Sequence, residues 1–196
     1  MYETYYKTLL PKCGKENLEL LFLDTDSFCF GVKNEKCFNK AMFKIMDYSN
    51  YPTNHKLFDN SNQAQLGYFK DELKGESVCT EFVGLRSKCY AMNLVKIGSN
   101  SIKEKKVCKG LGKVAIQKRL KLEEYKKCLF DGQDFRHHYT GINSQKHNLY
   151  TVVKNKTALS NFDSKRHIYH CGIHSSPFGS DLVRKYGNVC YKCERN

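Results

Sequence analysis

The sequence predicts an α+β protein with an antiparallel sheet. Residues 18–30, LELLFLDTDSFCF, contain two apolar runs joined by an acidic turn, which is typical of a strand hairpin. Other stretches carry apolar residues at helical spacing, and the strand connections are local. Alternating parallel strands and helices would not give this pattern. We therefore expect an antiparallel sheet that carries the acidic hairpin, with helices on one face and a smaller group of helix and strands after it.

Two early helices are predicted from apolar residues at helical spacing. Residues 2–9 follow this spacing, and Pro11 with Gly14 should end the helix. The same spacing over residues 38–46 predicts a second helix, which a polar stretch and Pro52 end.

Four later strands and a third helix complete the predicted elements. Runs of strand-forming residues predict strands over residues 66–72, 79–94, 150–153 and 167–169. A helix rich in Lys and Glu is expected over residues 115–130, because Asp131 and Gly132 supply an end signal. Charge density rises near residues 98–106, so any domain boundary is expected there.

The composition favours a polyanionic partner. The chain has 33 Lys and Arg against 20 Asp and Glu, a net charge of +13. Its 13 Tyr and 12 Phe supply core material and surfaces on which bases and sugars can stack. The 10 Cys are scattered, which indicates reduced thiols. No apolar stretch approaches membrane-spanning length and no signal core begins the chain, so we expect an intracellular protein without a membrane partner.

Asp24 and Asp26 are candidate metal ligands. Carboxylates separated by one residue point to the same face of an extended chain, where they repel each other unless a cation lies between them and an anion. In a basic protein this suggests a divalent metal that acts on a phosphate. An aspartic protease would need Gly in place of Asp26, and a calcium loop would need an oxygen ligand at Phe28 and Gly at Cys29, so both are excluded. A plain acidic turn stays open.

Three segments resemble family B DNA polymerases. Residues 20–30, LLFLDTDSFCF, resemble motif C, whose hairpin carries D-T-D-S between strands. Residues 81–92, EFVGLRSKCYAM, are similar to the segment of protein-primed enzymes that bears a K-x-Y motif, here Lys88 and Tyr90. Residues 106–113, KVCKGLGK, are similar to the K-x-K-G element that follows it.

Two further segments extend this resemblance. Residues 49–72, SNYPTNHKLFDNSNQAQLGYFKDE, match the intervening segment, and residues 161–179, NFDSKRHIYHCGIHSSPFG, resemble the closing D-x-K-R strand and turn. Several motifs in one order are far more specific than any one alone. The resemblance is strongest to polymerases of Polinton or Maverick mobile elements, which are related to adenoviral and phage enzymes.

The resemblance implies a DNA-directed DNA polymerase, a nucleotidyltransferase of DNA replication. It implies two Mg2+ or Mn2+ ions, with Asp26 as a direct ligand and Asp24 as a supporting carboxylate. Primer-template DNA and deoxynucleoside triphosphates are the implied partners, and protein priming would add a terminal protein. The implied layout is the C-terminal part of a palm in residues 1–100, a thumb-like subdomain in residues 101–179 and a divergent tail in residues 180–196.

The resemblance also implies DNA contacts. Lys88 would meet a phosphate at the primer terminus, and Tyr90 would pack against sugar or base. Contacts to backbone phosphates, independent of sequence, are implied for the basic tract and the closing strand. Their residues are Lys106, Lys109, Gly110, Lys113, Lys165 and Arg166. An ordinary amphipathic strand and solvated surface charge are the alternative interpretations.

Parts of the family's active centre are not found in this sequence. Motif A, which supplies a carboxylate from a separate strand, and motif B, which grips the nucleotide, are absent, so we expect a chain that does not polymerise alone. A non-catalytic nucleic-acid-binding remnant of a mobile element stays open as an alternative. A nuclear location would suit a eukaryotic element, although no basic tract distinguishes an import signal from DNA-binding charge.

The last Cys and His residues allow a third interpretation, a zinc-bearing structural module. Cys171 and His174 are separated by two residues, fifteen residues follow, and Cys190 and Cys193 are again separated by two. This is the spacing of a small zinc ribbon or knuckle. However, residues 171–179 lie where the resemblance has a closing turn without metal, so reduced thiols and a divergent tail are the preferred interpretation.

Overall fold

The computed structural model describes residues 1–99, 101–163 and 165–193. The fold is mixed α and β, as predicted, and the sheets are small and antiparallel. In the described residues the acidic hairpin is a two-stranded sheet of its own and not part of the larger sheet that was expected to carry it. The chain forms two compact units, Met1–Lys127 and Cys128–Asn196. A boundary was expected near residues 98–106, and within that range the strand that begins at Ile102 pairs with the strand Cys89–Lys96.

The first unit begins with a helix that changes type. A π-helical stretch, Thr4–Leu9, continues as α1, Leu10–Cys13. Pro11 lies in the first turn of α1, and the helix runs past it to Cys13. Gly14, at φ +79°, ends the helix as expected.

The acidic hairpin forms where the sequence predicts it. Its strands are β1, Leu18–Asp24, and β2, Ser27–Val32. Asp24 pairs with Ser27, which leaves Thr25 and Asp26 as the turn. The expectation that Asp24 and Asp26 share one face of an extended chain is therefore wrong, because Asp24 closes β1 and Asp26 is exposed in the turn.

The second predicted helix is α2, Glu35–Met42, which a short 3-10 turn, Phe43–Ile45, continues. Asn34 caps it by accepting a hydrogen bond from Cys37 N. Helix α2, the N-terminal helix and the hairpin share one apolar cluster. Its buried members are Leu9, Cys13, Leu18, Ala41, Met42 and Met46.

The strand predicted over residues 66–72 is wrong. Gly67 adopts φ +89°, and only an isolated bridge between Phe69 and Met46 forms there among the described residues. Asp71 then accepts hydrogen bonds from Leu73 N at 2.8 Å and Gly75 N at 3.0 Å. Because a carboxylate that satisfies nearby backbone N–H groups stabilises a turn, this segment folds as turns.

A three-stranded antiparallel sheet follows. Its strands are β3, Ser77–Arg86, β4, Cys89–Lys96, and β5, Ile102–Cys108, in that order. The single strand predicted over residues 79–94 is wrong, because the chain reverses at Ser87 and Lys88. Lys88 occupies the turn at φ +58°, so it does not share a strand face with Tyr90. Lys is not one of the residues that favour such a turn, as Gly, Asn and Asp do, so the sequence did not predict a turn at Lys88.

The helix predicted over residues 115–130 is two helices. They are α3, Lys113–Arg119, and α4, Leu122–Asp131. Leu120 has an extended backbone, and the break lets both Leu120 and Leu122 be buried. The side chain of Glu124 accepts a hydrogen bond from Lys121 N, which caps the start of α4. Gly132, at φ +67°, follows the end of α4 as expected.

The second unit consists mainly of hairpins. It contains β6, Phe135–Gln145, β7, Asn148–Leu159, β8, Arg166–Ile168, β9, Ser175–Pro177, and α5, Asp181–Tyr186. The predictions at residues 150–153 and 167–169 fall on β7 and β8, whereas β6 was not predicted. In the described part of the chain, no helix has the length and apolarity needed to cross a membrane.

Candidate nucleic-acid interface and candidate metal centre

The turn of the acidic hairpin contacts the turn of the neighbouring hairpin. Lys88 Nζ lies 2.9 Å from Asp24 Oδ2, and Thr25 Oγ1 donates to Asp24 Oδ1 at 3.2 Å. The hydrogen bond from Lys88, with a smaller contribution from the charge of Lys109, lowers the pKa of the Asp24 carboxyl below its usual value. Asp24 is therefore ionised at neutral pH and already holds one cation.

An aromatic stack joins the same two hairpins. The rings of Phe22 on β1 and Tyr90 on β4 are 4.6 Å apart with an interplanar angle of 23°. Phe82 on β3 lies 5.8 Å from each of them. Burial raises the pKa of Tyr90. Such packing fixes the orientation of the rings. The two hairpins that bear Asp24 and Lys88 are therefore held together by ring packing as well as by the ion pair.

The turn that follows β5 reaches the same place. Lys109 N donates to Lys88 O at 2.9 Å, so the turn after β5 lies beside the turn between β3 and β4. Gly110 adopts φ +100°, a conformation that L side chains rarely adopt. A Cβ placed on Gly110 or Gly112 would meet no atom within 4 Å. The backbone of this turn is therefore open to a ligand from outside. We refer to Asp24, Lys88, Tyr90 and Lys109 as the hairpin junction.

The other predicted contacts of the basic tract differ in accessibility. Lys113 is exposed at the start of α3. Lys106 is only 11% exposed, and its Nζ donates to Leu120 O at 2.6 Å and lies 3.1 Å from Glu104 Oε2. Since Leu120 follows the last residue of α3, Lys106 satisfies a carbonyl at the helix end.

Lys165 and Arg166 belong to the second unit, and both are exposed. Arg166 Nε donates to Ser175 Oγ and its Nη2 to Ser175 O, each at 2.9 Å. The guanidinium thereby links β8 to β9. The backbone N–H of Lys165 donates to Asp163 Oδ1 at 2.9 Å, a turn contact that does not use the ammonium group of the Lys165 side chain.

The acidic hairpin does not form a complete site for two divalent ions. Two-ion nucleotidyl transfer needs carboxylates that bracket both ions. Among the described residues, Asp24 and Asp26 do not belong to any cluster of three or more metal-ligating groups, and Asp24 is paired with Lys88. Glu72 lies near enough to raise the pKa of Tyr90, yet it is not part of such a cluster. We assign no chemical step to Mg2+ or Mn2+ at this chain's own residues.

Four potential metal ligands come together in the second unit. The ligand atoms of Cys171, His174, Cys190 and Cys193 all lie within 4.8 Å of one another. His174 Nδ1 is 3.2 Å from the sulfur of Cys190, 3.4 Å from that of Cys193 and 3.6 Å from that of Cys171. Backbone N–H groups of His174 and Ile173 directed at Cys171 lower the pKa of its thiol to about 6.

Asp47, a buried carboxylate of the first unit, was not predicted from the sequence. Asp47 is 2% exposed and accepts hydrogen bonds from Ser49 N at 2.9 Å and Ala64 N at 3.3 Å, while Lys70 Nζ lies 3.2 Å away. Burial alone would raise its pKa, but the bonds from Ser49, Lys70 and Ala64 hold the pKa at about 2. An Asp two residues before a Ser is a turn signature that would have indicated the first of these bonds.

No protein-family model, curated protein or solved structure matches this chain.

Proposed function

We propose that this chain is the primer-template-binding portion of a family B DNA polymerase of the protein-primed type. One observation carries the proposal. The segment that resembles the D-T-D-S motif is far in sequence from those that resemble the K-x-Y and K-x-K-G motifs, yet it meets them at the hairpin junction. A polymerase needs its metal-bearing hairpin beside the residues that hold the primer terminus, and the contact of Asp24 with Lys88 supports that arrangement.

The chemistry of Lys88 suits a primer phosphate. Its side chain is 45% exposed, and its ammonium has three N–H donors, of which the bond to Asp24 uses one. The remaining donors can bind a phosphate while Asp24 keeps the side chain in position. Because Asp24 would repel a phosphate that approached without Lys88, the pair also restricts where the DNA backbone can lie.

The surroundings of Lys88 suit the sugar and backbone of the primer. The Tyr90 ring is fixed by Phe22 and Phe82, so little entropy is lost when a sugar or base packs against it. The open backbone at Gly110 allows a phosphate to approach closely. Neither contact reads the identity of a base, as binding to a template of any sequence requires.

Exposed basic side chains continue from the junction along β5 and α3. They are Lys103, Lys105, Lys109, Lys113, Lys118, Arg119 and Lys121. Lysines and arginines that neutralise phosphates release counterions, so affinity should fall as salt rises. We assign Lys109 and Lys113 to contacts with backbone phosphates. Lys106 has a structural role, because it hydrogen-bonds to the end of α3, which carries neighbouring basic residues.

A second candidate, a non-catalytic nucleic-acid-binding protein, is favoured by the state of Asp24. Its carboxylate is paired with Lys88, and within the described residues it has no cluster of partner ligands for a metal. The two candidates differ in one result. A separate chain that supplies motif A and the nucleotide-gripping helix should restore primer extension only if this chain is part of a polymerase.

The binding proposal is tested by fluorescence anisotropy of a labelled primer-template with the full chain over a salt titration. We expect log affinity to fall linearly with log salt, and Lys109→Ala to reduce the slope by about one. Lys36→Ala removes the same charge from the exposed surface of α2 and is the matched control. An affinity that does not change with salt concentration, or an equal change of slope in Lys36→Ala and Lys109→Ala, would contradict the proposal.

A further inference from the structure

We propose that Cys171, His174, Cys190 and Cys193 bind one structural Zn2+ ion, which fastens the C-terminal segment of the second unit. This site is independent of the polymerase proposal. Three thiolates and one imidazole form a complete ligand set for tetrahedral zinc, and the spacing of the two pairs is that of a zinc ribbon.

The distances between ligand atoms agree with a shared central ion. With Zn–S near 2.3 Å and Zn–N near 2.05 Å, a tetrahedral site separates nitrogen from each sulfur by about 3.6 Å. His174 Nδ1 lies 3.6, 3.2 and 3.4 Å from the sulfurs of Cys171, Cys190 and Cys193. The three sulfurs therefore surround the nitrogen at nearly the spacing that zinc would impose.

Hydrogen bonding does not explain this arrangement. In a neutral imidazole, Nδ1 either carries one proton or offers one lone pair, so it can satisfy one sulfur and not three. A nucleophilic Cys–His pair would likewise need a single thiol and leave the other two without a role. An ion that all four groups share accounts for every ligand.

The backbone around the ligands is folded as two tight turns. Gly172 adopts φ +70°, and His174 N donates to Cys171 Sγ at 3.4 Å, as in metal-binding knuckles whose N–H groups support a thiolate. Cys193 N donates to Cys190 O at 3.0 Å, which closes the second turn. His170 and Asn188 join the two turns, because both the backbone N–H and the ring Nδ1 of His170 lie within 3.1 Å of Asn188 O.

The segment around these turns has little apolar core of its own. Over the described residues 165–193, the buried residues are Tyr169, Ser176 and Cys190. Ile173 is 83% exposed, and Phe178 is 61% exposed. Strands of three residues and a helix of six cannot bury enough surface to hold such a segment, so small units of this kind commonly depend on a metal or a disulfide. With four protein ligands the ion would have no open position, which makes it structural and not catalytic.

The test is metal analysis of the full chain, purified under reducing conditions without a chelator. We expect about one zinc per chain, and we expect Co2+ to replace it with the visible absorption of a tetrahedral thiolate site. Cys193→Ser should weaken zinc binding by more than about a hundredfold, because removal of a direct ligand costs more than loss of a supporting hydrogen bond. Cys193 is exposed, so this variant does not disturb the core as Cys190→Ser would.

Cys79→Ser is the matched control, since Cys79 lies in the first unit, where its Sγ donates to Glu81 O. It should keep one zinc per chain. The proposal would be overturned by a reduced chain that holds neither Zn2+ nor Co2+, by a disulfide among Cys171, Cys190 and Cys193 in its place, or by zinc that Cys193→Ser does not displace.

Discussion

Lys88 Nζ and Asp24 Oδ2 lie 2.9 Å apart although they belong to the turns of two different hairpins. The contact joins the acidic hairpin to the turn between β3 and β4, and Phe22 stacks on Tyr90 between the same two hairpins. Each residue therefore sets the electrostatic environment of the other. This relationship is the basis of the proposed primer-terminus site.

The first prediction concerns the pKa of Asp24. Lys88→Met should raise this pKa toward the usual range, because the hydrogen bond from Lys88 is the largest cause of its depression. Carboxyl carbon chemical shifts followed by NMR as a function of pH measure it directly. Lys36→Met, on the exposed surface of α2, should leave it unchanged. An Asp24 pKa that is the same in Lys88→Met and in the unmodified chain would show that the ion pair does not exist in solution.

The second prediction concerns acid stability through Asp47. Its pKa is about 2 in the folded chain, against about 3.9 for an unfolded Asp. A depressed pKa stabilises the folded state above about pH 4, and that contribution is lost as pH falls toward 2. Asp47→Asn should therefore lower the urea midpoint at pH 7 and reduce its change between pH 7 and pH 3. Asp134→Asn, at an exposed position, serves as the control, and an equal pH dependence in both variants would refute the prediction.

The third prediction separates a structural lysine from its neighbours. Lys106→Met removes the ammonium that satisfies Leu120 O but keeps the apolar stem. A lost bond to a helix-end carbonyl costs about 1 to 2 kcal/mol, so α3 amides should exchange with deuterium about 5- to 30-fold faster. Lys105→Met removes an exposed charge from the same strand and should change exchange little. Equal protection of α3 in both variants would mean that Lys106 does not hold the helix end.

The fourth prediction concerns strain at the tip of the acidic hairpin. Thr25 adopts φ +52°, which is unfavourable for a β-branched residue, whereas Asn tolerates it. Thr25→Asn should therefore stabilise the hairpin by about 1 kcal/mol. Thr25→Val keeps the branched side chain and removes only the hydroxyl that donates to Asp24, so it should give no gain. Amide exchange of β1 and β2 compares the variants, and a Thr25→Asn chain no more protected than Thr25→Val would exclude strain at this residue.

Local signals were sufficient to predict some elements and not others. The acidic hairpin follows from strand-forming residues on both sides of a polar turn, and the end of α4 follows from Gly132. The reversal at Lys88 and the break at Leu120 have no such signal. Tertiary packing decides both, since the reversal allows the contact with Asp24 and the break buries two leucines.

The candidate sites show the same limit. The sequence shows the spacing of Cys171, His174, Cys190 and Cys193. Spacing alone does not predict that their ligand atoms lie within 4.8 Å of one another. Lys106 and Lys109 are equally basic in the sequence. Only the fold distinguishes the lysine that bonds to Leu120 O from the exposed one beside Lys88.

The most direct test of the primer-terminus site is photo-crosslinking from the primer end. A primer-template with 4-thiothymidine at the primer 3′ terminus is irradiated with the full chain, and crosslinked peptides are identified by mass spectrometry. We predict crosslinks at residues 88–90 and at the turn that follows Cys108, lost when a blunt duplex replaces the recessed terminus. Crosslinks that avoid both turns, or that form equally with the blunt duplex, would contradict a primer-terminus site built around Asp24 and Lys88.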